Sequence, residues 1–161
     1  METEDRSFTA LPCKDFVEIL ASKAAVPGGG GASALVGSIG VALGHMVGSL
    51  TLGKKKYAAV EENIQRCQQQ ANALAKRLLD LMDEDARAFE PLSKAYGLPH
   101  ATPEETARKA QVMEQALLTA CGAPMEILRA CAEAIDLMAE YAAKGSRLAL
   151  SDAGAGAALL K

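Results

Sequence analysis

Apolar residues along this chain recur mainly at three- and four-residue steps, the spacing that lines one face of an α-helix. Leu11 to Ala25 reads as a short first helix with Phe16, Ile19 and Leu20 on its apolar face, broken by Pro27 and the run Gly28 to Gly31. A second helix is expected from about Ala32 to Leu52 with no formally charged residue in it. Lys54, Lys55 and Lys56 follow Gly53, where cations complement a helix C-terminus. A long third helix is expected from Tyr57 to Tyr96, bent near Pro91 and stopped by Gly97, Leu98 and Pro99. Thr102, Pro103 and Glu105 spell an N-cap, a first helical position and the third residue of a capping box. The helix they open should reach about Lys144, with a kink or break at Pro124. Gly145 ends it, and Ser151 with Asp152 looks like the N-cap of a last helix reaching Lys161. No stretch alternates like a strand. The expected fold is all-α, a bundle of long antiparallel helices in one domain over residues 1–161.

The uncharged helix is long enough to cross a bilayer. Ser33, Ser38, His45, Ser49 and Thr51 temper its hydrophobicity, and Gly40, Gly44 and Gly48 recur every four residues with Gly37 one heptad before Gly44. Such a strip without side chains lets another helix approach closely. The expectation is a buried central bundle helix and no membrane contact, with His45 a core or interface histidine rather than a metal ligand.

The long helix carries the one position where charge interrupts an apolar face. Leu74, Leu78, Leu81 with Met82, Ala88 with Phe89, Leu92 and Tyr96 form a stripe, and Asp85 falls inside it, four residues from both Leu81 and Phe89. Asp80, Asp83, Glu84 and Arg87 fall mainly on the opposite, solvated side. A carboxylate in an apolar lining is costly unless it is paired, hydrogen-bonded or protonated. Periodicity leaves two readings open: a structural Asp satisfied by a helix terminus or a lysine, or a general acid/base whose pKa is raised by desolvation.

Composition agrees with helices and narrows the chemistry. Half of the 161 residues are hydrophobic but only 4% are aromatic and none is Trp, so the core is built from Ala, Leu, Val and Met, the side chains of closely packed helices. A net charge of −3 excludes the basic face that nucleic acid requires. Cys13, Cys67, Cys121 and Cys131 show no CxxC pair, which disfavours a zinc site and suggests isolated buried thiols. Met1 to Arg6 is acidic and polar with no apolar h-region behind it, so the expected location is a reducing cytoplasm.

Seven short segments occur in a specific order. They are Pro27 to Gly30 opening an Ala/Gly helix, His45 to Val47, Thr51 to Tyr57, Asp85 to Phe89, Ala95 to Pro99, Ala120 to Pro124, and Ala143 to Ser146 followed by Ser151 and Asp152. The set resembles the formiminotetrahydrofolate cyclodeaminase/methenyltetrahydrofolate cyclohydrolase family over residues 11–161. The resemblance implies an all-helical domain that forms a homodimer, binds a tetrahydrofolate derivative in a cleft at or near the subunit interface, and uses the carboxylate matching Asp85 as proton acceptor. It implies no metal and no cofactor beyond the folate substrate.

Within that resemblance, Gly28, Gly29 and Gly30 offer backbone amides for an anionic or polar group, or simply a tight turn between helices. Lys54 and Lys55 meet the glutamate carboxylates of folate or are solvated. Asp152 lines the site or belongs to the N-cap pair with Ser151. Two departures stand out: Gly31 occupies the place where the family often has Ser, and family members continue through a further helix past the position of Lys161. The expected activity is hydrolysis of 5,10-methenyltetrahydrofolate to a formyltetrahydrofolate. The alternatives are cyclodeamination of 5-formiminotetrahydrofolate with release of ammonia, and a non-catalytic folate-binding or scaffold role.

Overall fold

The structure, a computed structural model, describes residues 7–161; the N-terminal stretch Met1–Arg6, read above as free of a secretory signal, lies outside the described residues. The helices are α1 (Cys13–Leu20), α2 (Gly29–Ser49), α3 (Glu61–Tyr96), α4 (Pro103–Ala120), α5 (Gly122–Lys144) and α6 (Leu150–Leu159). Short 3-10 turns lie at Phe8–Ala10, Lys55–Val60 and Arg147–Ala149, and there is no strand among the described residues. The all-α expectation holds.

Several helix ends differ from those the sequence suggests, each for a physical reason. Gly29, Gly30 and Gly31 are the first turn of α2 rather than part of the break before it, so the interruption shrinks to the turn that contains Pro27. Tyr57 lies in a 3-10 turn, and α3 begins only at Glu61, where Glu61 and Glu62 supply the acidic first turn that suits a helix N-terminus. Pro91 sits inside α3 without ending it. The fourth expected helix is two: α4 ends at Ala120, and Pro124 lies in the first turn of α5, where a missing backbone N–H costs nothing. The Thr102 and Glu105 capping box forms as expected, Glu105 N–H donating to Thr102 Oγ1 at 3.2 Å and Thr102 N–H to Glu105 Oε2 at 3.2 Å. Ser151 is not an N-cap; Ser151 and Asp152 both lie in the first turn of α6.

The chain divides into two compact units, one built from the described residues up to Ala32 with Asp80–Glu126, the other from Ser33–Leu79 with Ile127–Lys161. In the second unit the side-chain-free strip of α2 does what its spacing suggests. Gly37 lies against Cys131 and Leu78, Gly40 against Gly156 and Leu160, Gly44 against Met138 and Tyr141, and Gly48 against Gln68 and Tyr141. A Cβ at Gly44 or Gly48 would overlap these neighbours, so helix-to-helix packing here depends on the missing side chains.

That packing encloses a polar cluster. Buried Tyr141 donates its hydroxyl to Gln68 Oε1 at 2.7 Å, and Gln68 Nε2 donates to the His45 carbonyl at 3.1 Å and to Ser49 Oγ at 3.0 Å. Burial pushes the Tyr141 hydroxyl pKa up, so it stays a proton donor. His45 is therefore a half-buried member of a polar layer, as its lone position in the helix suggested. Thr51 is fully buried, donating to the Val47 carbonyl at 2.7 Å and accepting from Ser146 N–H at 2.8 Å. Of the four thiols, Cys67 is buried and Cys131 half-buried, whereas Cys13 and Cys121 are exposed, which corrects the expectation of uniformly buried cysteines.

Candidate functional site

The site grows from the stripe on α3. Leu78, Leu81, Met82 and Leu92 are buried, Leu74, Ala88 and Phe89 half-buried, and Tyr96 is 56% exposed where α3 ends. Asp85, within that stripe, is half-buried. One step away on the helix, Asp83 is also half-buried rather than solvated, because it accepts Ser7 Oγ at 2.6 Å and Phe8 N–H at 2.7 Å. Both oxygens of Asp83 are thus committed to Ser7 and Phe8.

What meets Asp85 is the first turn of α2. Gly31 N–H donates to Asp85 Oδ2 at 2.9 Å. The opening N–H groups of a helix have no partner within it and carry the positive end of its dipole, so a carboxylate here is stabilised as an anion. Among the described residues, Asp85 Oδ1 has no hydrogen-bond partner. Burial pushes the Asp85 carboxyl above the ordinary aspartate range, and the Gly31 hydrogen bond pulls the other way without cancelling it. A helix terminus therefore satisfies one oxygen, as the structural reading requires, while the other is left on a carboxyl whose proton affinity is raised.

The glycines divide by what surrounds them. A Cβ at Gly30 would overlap the Asp85 carboxylate, whereas a Cβ at Gly28 or Gly29 would meet nothing within 4 Å. At Gly31 a Cβ would lie 3.5 Å from the Met82 carbonyl oxygen and 3.7 Å from Pro27 Cβ, ordinary contacts. A Cβ at Gly31 is therefore sterically compatible with this backbone. Sequence reasoning singled out Gly28, Gly29 and Gly30 but not Gly31, whose amide makes the contact; the run of four glycines after Pro27 was the available signal.

Lys54, Lys55 and Asp152 belong to the other unit. Lys54 and Lys55 are exposed beside Gly53, whose φ of +71° is a left-handed conformation that glycine accommodates readily. Tyr57, close by, accepts a hydrogen bond from Arg147 N–H at 3.3 Å, which lowers its hydroxyl pKa. Asp152 is half-buried in the first turn of α6, where an acidic side chain complements the helix dipole.

The described residues thus form an all-helical chain that sets a half-buried carboxylate against a glycine-opened helix N-terminus. The chain belongs to the formiminotransferase-cyclodeaminase family, whose sequence profile matches residues 12–161 and so runs through both units.

Its relatives include the methenyltetrahydrofolate cyclohydrolase of Methylorubrum extorquens AM1, 43% identical over 139 residues that make up 86% of this chain and 67% of that protein. The formimidoyltransferase-cyclodeaminase of Sus scrofa is 32% identical over 92% of this chain, and the chain spans only 27% of that longer protein. Among solved structures, the formiminotetrahydrofolate cyclodeaminase of Thermotoga maritima superposes with a TM-score of 0.81 at 29% identity, covering 94% of this chain and 72% of that one.

Proposed function

We propose that the protein is a methenyltetrahydrofolate cyclohydrolase with Asp85 as its general base. The observation that carries the chemistry is the half-buried Asp85 carboxyl, with Oδ2 held by Gly31 N–H and its proton affinity raised by burial. Reaction type is supported by similarity: identity is 43% to a cyclohydrolase against 32% to a formimidoyltransferase-cyclodeaminase.

The methenyl carbon of the substrate lies between two nitrogens in a cationic amidinium and is electrophilic. Water oxygen bonds to that carbon, the C=N π pair moves onto nitrogen, and Asp85 takes the water proton. The protonated carboxyl then returns that proton to the departing nitrogen as its C–N bond breaks. The adduct hydroxyl loses its own proton, leaving a formyl group and one proton released to solvent. As an anion drawn partly out of water, Asp85 also stabilises the cationic substrate. Gly28 and Gly29 face open space at the start of α2 and offer amides to a polar substrate group. Lys54 and Lys55 are assigned to the glutamate carboxylates of folate, and Asp152, on the same unit as those lysines, to substrate binding.

Dimerisation is the companion proposal. Val36, Ile39 and Met46 are exposed on α2 and Leu50 just past its end, and with half-buried Leu43 they follow a heptad pattern on a helix without a charge. A second copy of the chain is the fitting cover, because two such faces meet with no charge to desolvate. Light scattering should give a dimer that Ile39→Glu dissociates; a monomeric parent protein would contradict this.

Substrate choice is tested by offering each folate separately. Loss of methenyl absorbance with 5,10-methenyltetrahydrofolate, and no ammonia from 5-formiminotetrahydrofolate, is the expected outcome. The reverse pattern would identify a cyclodeaminase, in which the same carboxylate accepts the proton of the attacking N10.

A further inference from the structure

We infer that Gly30 is a positioning residue for Asp85: its missing side chain leaves the space in which the carboxylate stands, so that Oδ2 is anchored on Gly31 N–H and Oδ1 is the oxygen that takes the proton. The inference rests on the proposal that Asp85 is the base. It shifts Gly30 from the group of amides offered to substrate to a residue that acts through Asp85.

The geometry separates Gly30 from its neighbours. A Cβ built there meets Asp85 Oδ1 first and then its carboxyl carbon and Oδ2, all closer than atoms approach one another. Gly28 and Gly29 have no such neighbour, and Gly31 tolerates a Cβ. Helix α2 gains nothing from glycine itself at this position, since glycine is among the poorest helix formers. The absent side chain is explained instead by the carboxylate that occupies its place. Among the described residues no charged group shifts Asp85: α2 has no charged residue, Asp83 is committed to Ser7 and Phe8, and neither Glu84 nor Arg87 on α3 is among the causes of its shift. Among the described residues, only burial and Gly31 N–H shift the Asp85 carboxyl.

Anchoring one oxygen has a catalytic use. A carboxylate free to rotate presents either oxygen to the attacking water, whereas one held through Oδ2 presents Oδ1 in a fixed direction, and misplacement by about 1 Å costs on the order of 100-fold in rate. The test is a cycle of Gly30→Ala, Asp85→Ala and the double variant, with Gly154→Ala as control because a Cβ there meets nothing within 4 Å. Gly30→Ala should lower kcat on the order of 100-fold with little change in KM, and should move the acid limb of the kcat–pH profile.

In the Asp85→Ala background the same substitution should cause no further loss, because the residue it acts through is gone. Should Gly30→Ala fail to fold, Asp85→Ala is expected to restore folding by vacating the contested space; failure to restore it would overturn the inference. A Gly30→Ala protein with parental kcat and an unmoved acid limb, beside an inactive Asp85→Ala, would overturn the inference and leave the base assignment standing. A fully active Asp85→Ala would overturn both.

Discussion

Helices α2 and α3 each contribute to two polar centres, and the centres are built on opposite terms. In the second unit, Gln68 is buried and both ends of its amide are engaged, by the Tyr141 hydroxyl on one side and by the His45 carbonyl and Ser49 on the other. In the first unit, Asp85 is an ionisable group drawn out of water with a single hydrogen bond from Gly31. A neutral, fully partnered layer specifies how helices register and gains stability from every bond. A carboxylate with one donor is held at a cost, visible in the upward shift of its pKa. The difference separates a polar group whose partners all lie within the fold from one left with an unpartnered oxygen among the described residues, although both lie on apolar helix faces.

Substitution should expose that difference from both sides. Asp85→Asn keeps the shape and removes the base, so turnover of 5,10-methenyltetrahydrofolate should fall by about 10²–10⁴. Its melting temperature should stay level or rise, because a group whose ionised form is destabilised by the fold has been neutralised. Gln68→Ala should do the reverse. It strands the Tyr141 hydroxyl in the core and should cost about 1–3 kcal/mol in denaturant unfolding, with the rate per folded molecule preserved. A Gln68→Ala protein as stable as the parent would show that the layer is not structural.

The same contrast sets the pH behaviour. The fold raises the Asp85 pKa, so the folded chain holds that proton more tightly than the unfolded one. The stability contributed by protonated Asp85 is fully present below the unfolded-state pKa and is lost as pH rises through the folded pKa. The smallest expected effect lies at the exposed lysines. Lys54→Ala with Lys55→Ala should reduce the preference for polyglutamylated over monoglutamyl folate, and its salt dependence, by no more than about tenfold. An unchanged preference would remove those residues from the substrate path.

Much of this was legible in the chain, and what was not has definite causes. The apolar stripe marked Asp85 because period and burial are linked in any helix packed on a core. The glycine strip of α2 was legible for the same reason, since only missing side chains allow the approach of Tyr141 and Met138. The start of α2 was misjudged because Gly29, Gly30 and Gly31 are poor helix formers in isolation, and a tertiary contact with Asp85 overrides that propensity. The contact joins residues 54 apart, so the glycine run marks one side of it without naming the partner. Asp83 was placed on the solvated side because its partners, Ser7 and the Phe8 amide, come from the far end of the sequence. The role proposed for Asp85 is what the family resemblance implies, and burial alone leaves it undecided.

The most direct test is to titrate the side-chain carboxyl of Asp85 by carbon NMR and compare it with the acid limb of kcat for methenyltetrahydrofolate hydrolysis. The expected result is a carboxyl pKa above the ordinary aspartate range that matches the acid limb, with both features absent in Asp85→Asn. A carboxyl that titrates at or below the ordinary value, or an acid limb that survives in Asp85→Asn, would contradict Asp85 as the base.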